Sequence, residues 1–286
     1  MGRYVKLQLA VLQTAGAPGD VEKNLHELRA TAHAAVADGA HLLITPELFL
    51  TGYDIGPLVH ELARTELTAA AAEIAREEGI ALIVGLPLFE NGHHYNAAVF
   101  IDDTGEVTST YRKTHLFSEL DHTYFTAGND LVSIVEFRGV RIATLICYDV
   151  EFPEPARAAA IAGAHLIAVP TAQMAPFEFV AEEVVRTRAW ENQVYVAYAN
   201  HDGHELTLSY VGRSRIVDPF AKVLDSVEHG TRMLRATIDT EVVDEARHAN
   251  PYLADRRADL YEASRVSSAP VFGRVLDRTG ATQPNR

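Results

Sequence analysis

The sequence predicts an α/β fold, an α-β-β-α sandwich of two mixed β-sheets flanked by helices. Two patterns lead to this class. Strand-like and helix-like segments alternate along much of the chain, which is typical of parallel β-α units, and hairpin patterns interrupt them, which indicates antiparallel pairs in the same sheets. A chain of 286 residues, 48% of them hydrophobic, can also bury a core large enough for such a layered domain.

The first half of the chain predicts a β-α-β start followed by antiparallel strands. Residues 5–13 alternate and are rich in Val and Leu, and Asp20 can cap a helix with apolar residues at helical spacing. Asn91-Gly92 favours a tight hairpin turn. The remaining predicted elements are a strand over 41–45, an alanine-rich helix over 58–78, a buried strand over 80–87, and paired strands over 97–101 and 107–111.

The second half predicts a further hairpin, a return to β-α units and a polar end. Its predicted elements are strands over 132–137 and 140–146, a helix over 153–162, a strand over 166–169, a helix over 177–192, a strand over 194–199, a hairpin of 210–217 with 221–226, a strand over 233–238 and a helix over 240–248. Beyond Tyr261 the chain is polar and patternless. We therefore predict one domain over residues 1–262 and a C-terminal tail over 263–286 that lies on the surface or reaches a neighbouring subunit.

Composition excludes several classes of function. A net charge of −14 and a pI near 5.3 oppose binding to nucleic acid, because that affinity depends on clustered Lys and Arg. No apolar run reaches the roughly 18 residues needed to cross a membrane, and the N-terminus has no signal-peptide core. These observations favour a cytoplasmic protein without nucleic-acid or membrane partners.

Cys147 is the single cysteine, so it can form neither an internal disulfide nor a multi-thiolate metal site. It is either a small buried hydrophobic residue or a reactive thiol. Two histidine pairs, His93 with His94 and His201 with His204, lack the third ligand or the regular helix spacing expected of a zinc site. We predict no metal.

Three predicted strands end in a reactive or charged residue beside a turn: Glu47, Lys113 and Cys147. Because the carboxyl ends of strands in α/β sheets face the ligand crevice, these residues can converge. A thiol of ordinary pKa needs a base or a nearby cation to act as a nucleophile, and the Glu and the Lys could supply these. Taken singly, each has a plain alternative: a helix cap for the Glu, a solvated side chain for the Lys and core packing for the Cys.

Around these residues the sequence resembles the nitrilase superfamily of carbon–nitrogen hydrolases. The motifs that carry the resemblance are Pro46-Glu47-Leu48-Phe49, Tyr111-Arg112-Lys113-Thr114-His115 and Ile146-Cys147-Tyr148-Asp149. The resemblance implies the sandwich fold, Cys147 as nucleophile, Glu47 as general base, and Lys113 with the backbone N–H of Tyr148 as oxyanion stabilisers. It also implies a homodimer or higher homo-oligomer and no metal or organic cofactor.

One position departs from the pattern of that family. Many members have a second site glutamate four positions before the Phe of a Tyr-Phe pair, and counting back from Phe125 gives Asp121. Either Asp121 fills this place, or Glu119 reaches in from two residues away, or the role is partly lost; we favour Asp121. Its role would be to orient Lys113 or the incoming amide.

The narrower resemblance is to bacterial aliphatic amidases similar to 5-aminopentanamidase and R-stereoselective amidase. It implies a small linear primary amide as substrate, with an ω-amino or amino-acid amide as one form. The acidic candidates for contact with a cationic substrate are Glu151, Glu178 and Asp121. Further candidates for the pocket are Tyr53, Thr171 and Asn200. Two of these have a plain alternative, since Tyr53 could be a core residue and Asn200 a strand-end hydrogen-bond partner. The alternatives are a hydrolase of a different amide (an N-carbamoyl compound, a dipeptide-like amide or the ω-amide of a keto acid), an acyltransferase, and a catalytically silent binding protein of the same fold.

Overall fold

Two six-stranded mixed sheets form the centre of the structure, a computed structural model that describes residues 4–261. Contacts divide the chain into a main unit that ends at Leu253 and a C-terminal unit that begins at Ala254. In the C-terminal unit a 3-10 turn covers Ala258–Leu260, and Arg257 pairs with Asp259 at 2.7 Å. The predicted tail over 263–286 lies outside the described residues.

The strands and helices follow one another in the β-α rhythm with hairpins that the sequence predicts. The strands are β1 (Lys6–Gln13), β2 (Leu42–Ile44), β3 (Ala81–Glu90), β4 (His93–Ile101), β5 (Val107–Arg112), β6 (Ser133–Phe137), β7 (Val140–Thr144), β8 (Leu166–Thr171), β9 (Tyr195–Asn200), β10 (Asp202–Glu205), β11 (Leu208–Val211), β12 (Arg215–Val217), β13 (Val223–Ser226) and β14 (Arg232–Asp239). The helices are α1 (Val21–Ala37), α2 (Leu58–Leu62), α3 (Leu67–Glu78), α4 (Ser118–Tyr124), α5 (Pro153–Ile161), α6 (Val185–Asn192), α7 (Thr240–Ala249) and α8 (Tyr252–Asp255).

Both large sheets have a parallel centre with antiparallel strands on either side. The first has the order β14-β1-β2-β3-β4-β5, in which β1, β2 and β3 are parallel. The second has the order β13-β12-β9-β8-β7-β6, in which β7, β8 and β9 are parallel. The remaining neighbours pair antiparallel. This confirms the predicted α-β-β-α class, and it places the carboxyl ends of the parallel strands of each sheet along one edge.

Alternate residues of β1 show how the layers pack. Leu7, Leu9 and Val11 belong to a buried cluster that contains residues of both sheets. Ala10 and Leu12 point the other way, into a cluster with residues of α1 and α3. This period of two is that of a strand buried on both faces, so the sheet lies between the second sheet and a helical layer.

Three local predictions meet different outcomes. The Asn91-Gly92 hairpin is present between β3 and β4, with φ of 51° and 84° at these two residues. The single helix predicted over 58–78 is instead α2 and α3, because the Thr65 hydroxyl donates to the Leu62 carbonyl at 2.7 Å where the first helix ends. The strand predicted over 210–217 breaks at Gly212, where φ is 62°, and its first part pairs with β10 in a separate two-stranded sheet.

In residues 4–261 no helix is long and apolar enough to cross a membrane.

Candidate active site

Glu47, Lys113 and Cys147 lie at the carboxyl ends of β2, β5 and β7, so two of them come from the first sheet and one from the second. All three side chains are buried, with at most 6% exposure. The Glu47 N–H donates to the carbonyl oxygen of Thr171 at the end of β8, which joins the edges of the two sheets. The convergence predicted from strand ends is therefore present.

Lys113 is held between two carboxylates. Its Nζ lies 2.7 Å from Glu47 Oε1 and 2.7 Å from Asp121 Oδ2. Burial alone would lower the pKa of Lys113, but the negative charges of Asp121 and Glu47 outweigh it and hold that pKa well above its ordinary value. Lys113 is consequently a fixed ammonium at neutral pH.

Asp121 occupies the position beside Lys113 for which sequence reasoning left two candidates. It is fully buried on α4, where Oδ1 accepts a hydrogen bond from the Tyr53 hydroxyl at 2.8 Å and Oδ2 accepts one from the Phe117 N–H at 2.8 Å. Glu119 is exposed on the same helix. The geometry therefore brings Asp121 and Tyr53 into the site and leaves Glu119 outside it.

Glu47 is fixed by polar groups from other elements. Asn96 Nδ2 on β4 donates to its Oε1 at 2.6 Å, and His201 Nε2 lies 2.7 Å from its backbone oxygen. Its second carboxylate oxygen, Oε2, is buried and has no hydrogen-bond partner. Burial raises the pKa of Glu47 despite the opposing effect of Lys113. A free acceptor oxygen of raised proton affinity is what a general base requires.

Cys147 begins a 3-10 turn over Cys147–Glu151 and has a φ of 45°, an uncommon conformation for a residue other than glycine. Its thiol lies 3.8 Å from Oε1 of Gln173. Burial and then the charge of Glu47 raise the pKa of the thiol, while Lys113, the Thr171 hydroxyl and the Ala172 N–H oppose that rise. The resting thiol is therefore protonated at neutral pH.

Asp149 connects the lysine segment to the cysteine turn. One carboxylate oxygen accepts from the Thr114 hydroxyl at 2.8 Å and from the His115 N–H at 2.9 Å. The other accepts from the Tyr111 hydroxyl at 3.0 Å and from the Ile146 N–H at 3.1 Å. These four donors come from segments at the ends of β5 and β7, so Asp149 fixes the relative positions of the ammonium and the thiol.

The other predicted pocket residues differ in how free they are. Tyr148 is partly exposed beside the thiol, in edge contact with Phe117 at 5.2 Å between ring centroids. The Thr171 hydroxyl is buried and has no hydrogen-bond partner. It lies close enough to Cys147 to oppose the rise in the pKa of the thiol. Glu151 is half-buried, within hydrogen-bonding range of the Gln173 side chain.

The side chain of Asn200 forms hydrogen bonds with backbone groups. Its Oδ1 accepts from the Gln173 N–H at 2.7 Å and its Nδ2 donates to the Gly212 carbonyl at 2.6 Å. The geometry therefore favours the strand-end hydrogen-bonding role over contact with substrate.

Sequence reasoning missed Asn96, Gln173 and the role of His201. Asn96 is a polar residue directly before the apolar run that ends β4, and Gln173 is a polar residue just after a buried strand, so both patterns were available as signals. In the sequence His201 stands out only as half of a histidine pair. Among residues 4–261 no group of three or more His, Cys, Asp or Glu could hold a metal ion.

Comparison with known proteins agrees with this geometry. A family model described as carbon-nitrogen hydrolase matches residues 8–248. A hydrolase in the pqqF 5' region of Pseudomonas protegens is 44% identical over 261 residues, covering 90% of this chain and 91% of that protein. An (R)-stereoselective amidase of a Pseudomonas species is 32% identical over 263 residues, covering 89% and 93% respectively.

A solved structure of a glutamate-to-glutamine mutant of an amidase from Nesterenkonia sp. AN1 is also similar, with a TM-score of 0.81 and 33% sequence identity over 89% of this chain and 95% of that chain. In that structure the acetamide moiety of fluoroacetamide is covalently attached to the active-site cysteine. The family model spans most of this sequence, and the fold and the motifs agree with it. The chain therefore belongs to the carbon–nitrogen hydrolase family, within the nitrilase superfamily.

Proposed function

We propose that this protein is a thiol amidase that hydrolyses a small linear primary amide to a carboxylate and ammonia through an acyl-enzyme on Cys147. The observation that carries the proposal is the buried group of Glu47, Lys113 and Cys147, in which Lys113 Nζ lies 2.7 Å from Glu47 Oε1. The similarity to an (R)-stereoselective amidase and to the Nesterenkonia amidase supports the same chemistry.

In the first step Glu47 takes the thiol proton and the sulfur attacks the amide carbon, so a C–S bond forms and the carbonyl oxygen becomes an oxyanion. The ammonium of Lys113 and the backbone N–H of Tyr148 stabilise that oxyanion. The Tyr148 N–H lies in the first turn of the 3-10 segment, where N–H groups have no acceptor within the turn. Because the resting thiol is protonated, proton transfer accompanies the attack.

In the second step Glu47 returns the proton to the amide nitrogen, the C–N bond breaks and ammonia leaves. Water then attacks the thioester, with Glu47 again accepting a proton, and the carboxylate leaves as the thiol is restored. Asp121 does not exchange protons in this scheme. It keeps Lys113 in place while the charge of Glu47 changes.

The finer parts of the proposal concern substrate and assembly. An ω-amino or amino-acid amide is the substrate class implied by the narrower resemblance, and a homodimer in the cytoplasm is the expected state. No metal or organic cofactor has a part in these steps, because thiol, carboxylate and ammonium supply the nucleophile, the base and the charge stabilisation.

The test is ammonia release by the wild type and by Cys147→Ala over a panel of short amides, ω-amino amides, N-carbamoyl amino acids and nitriles. We expect release from one amide group, abolished in Cys147→Ala while its melting temperature is unchanged. Carbon dioxide released with ammonia would instead identify an N-carbamoyl hydrolase. If the wild type turns over no panel member and fluoroacetamide leaves Cys147 unlabelled, the protein is a silent member of the fold.

A further inference from the structure

Glu151 is an acidic group beside the thiol that the reaction above does not use. It ends the 3-10 turn that Cys147 begins, and its carboxylate is within hydrogen-bonding range of the Gln173 side chain. The oxygen of that same Gln173 amide lies 3.8 Å from Cys147 Sγ and 3.4 Å from the Tyr198 hydroxyl. One amide group therefore separates the Glu151 carboxylate from the nucleophile.

The cationic side chains near the Glu151 carboxylate are already bound to other groups. The Arg188 guanidinium donates to the Val150 carbonyl at 2.8 Å and to the Glu151 carbonyl at 2.6 Å, and pairs with Glu191 at 2.9 Å. Lys113 is held by its own two carboxylates. In the described part of the chain the Glu151 carboxylate consequently has no ion-pair partner. Burial raises the pKa of Glu151, so a cation brought next to it would relieve an unfavourable desolvation.

The aromatic rings around Tyr148, the residue that follows Cys147, supply a contrasting apolar surface. Tyr148 is in edge contact with Phe152, with 4.9 Å between the ring centroids. Phe117 is in edge contact with Phe177, with 6.1 Å between the ring centroids. Such rings pack against methylene groups and also attract cations to their faces. An aliphatic chain with a positive far end matches this combination of rings and carboxylate.

We propose that Glu151 selects substrates by the charge of their acyl group, accepting amides with a cationic far end and rejecting amides with a carboxylate there. The inference rests on the proposed amidase function and narrows its substrate class. The 3.8 Å contact plus one hydrogen bond across the Gln173 amide puts the carboxylate roughly 6–9 Å from Sγ. An extended chain of about four or five carbons covers that distance. The monoamides of dicarboxylic acids, which would place like charges together, are thereby excluded.

The test uses three amides with the same six-atom chain whose far ends are an ammonium, a methyl group and a carboxylate: 5-aminopentanamide, hexanamide and the monoamide of adipic acid. We compare kcat/KM for the wild type, for Glu151→Gln, and for Glu154→Gln as a control that removes a charge from an exposed acid nearby. Glutamine keeps the shape of Glu151 and can still bond to Gln173, and thermal melting verifies that each variant is folded.

In the wild type we expect 5-aminopentanamide to be preferred over hexanamide, and the adipic monoamide to be the poorest substrate. In Glu151→Gln the ratio of kcat/KM for 5-aminopentanamide to that for hexanamide should fall about 10- to 100-fold, the usual effect of losing a hydrogen-bonded charge pair. The ratio for the adipic monoamide to hexanamide should rise. Glu154→Gln should keep the wild-type ratios.

Two results would overturn the inference in distinguishable ways. If folded Glu151→Gln keeps the wild-type ratios, or loses turnover of all three amides equally, Glu151 does not select charge although the enzyme is an amidase. If the wild type hydrolyses none of the three and Cys147 is not labelled by fluoroacetamide, the proposed function fails, and the inference with it.

Discussion

Replacing Asp121 with asparagine removes one of the two carboxylates that hold Lys113. The Asp121 side chain accepts three hydrogen bonds: from Lys113 Nζ at 2.7 Å, from the Tyr53 hydroxyl at 2.8 Å and from the Phe117 N–H at 2.8 Å. An asparagine has one acceptor oxygen and two donor hydrogens, so at least one of these donors would face an NH₂ group. In this fully buried position the mismatch should cost about 1–3 kcal/mol of unfolding free energy.

The substitution also removes a negative charge close to Glu47. The carboxylate oxygens of Glu47 and Asp121 each lie 2.7 Å from the same nitrogen, so they are at most about 5.4 Å apart, twice that distance. At an effective dielectric of about 20, two unit charges at this separation interact by about 3 kcal/mol. Asp121 raises the pKa of Glu47, so its removal lowers that pKa and weakens the base.

We therefore expect Asp121→Asn to lower kcat by about 10²- to 10³-fold, the range for a displaced oxyanion donor, and to move the acid limb of kcat/KM to lower pH. The assay is ammonia release from a short amide between pH 5 and pH 9, with thermal melting to verify the fold. Glu119→Gln is the matched control, since Glu119 is exposed on the same helix. The reasoning would be refuted if Asp121→Asn kept the wild-type kcat and the wild-type acid limb of kcat/KM. A comparable loss of kcat in Glu119→Gln would refute it as well.

Two further predictions concern Glu47 and the segment that carries it. Because burial raises the pKa of Glu47, kcat/KM of the wild type should decline as the pH falls through a value above the ordinary glutamate pKa of about 4.3. A protonated Glu47 cannot take the thiol proton, so a pH profile with its acid limb at or below that value would contradict the assignment. Gly85→Ala should destabilise the fold by about 1–3 kcal/mol and displace Glu47. The added Cβ would lie 2.2 Å from the Pro46 oxygen and 2.6 Å from the Leu48 nitrogen, and unchanged melting and ammonia release would count against this.

The sequence was sufficient to predict which reactive side chains follow strands at the site, because a strand-like run stops shortly before each of them. Glu47, Lys113 and Cys147 follow directly from that rule. Asp121 required the resemblance to a known family, since a lone acid before an aromatic pair has no distinguishing pattern. The structure adds that Asp121 contacts Lys113, whereas Glu119 is exposed.

The supporting contacts could not be predicted in the same way. A period of two tells which residues of β4 share a face, but it does not tell that Asn96 contacts Glu47, which follows β2. His201 and His204 resemble a pair in sequence, yet His201 is buried against the Glu47 backbone and His204 is exposed. Asn200 is at a strand end, as predicted, but its amide bonds to backbone groups. Each of these depends on how two sheets meet, which local patterns do not encode.

The need for a second carboxylate follows from the proposed reaction. When Glu47 takes the thiol proton it becomes neutral. The negative charge that it held beside Lys113 is then lost. With Glu47 alone, the ammonium would then lose its counterion in a fully buried site, and its position would no longer be fixed when the oxyanion forms. Asp121 also bonds to Tyr53 and to the Phe117 N–H, so it keeps its geometry through that change. A lysine with one variable and one constant counterion can therefore stay in place throughout the reaction.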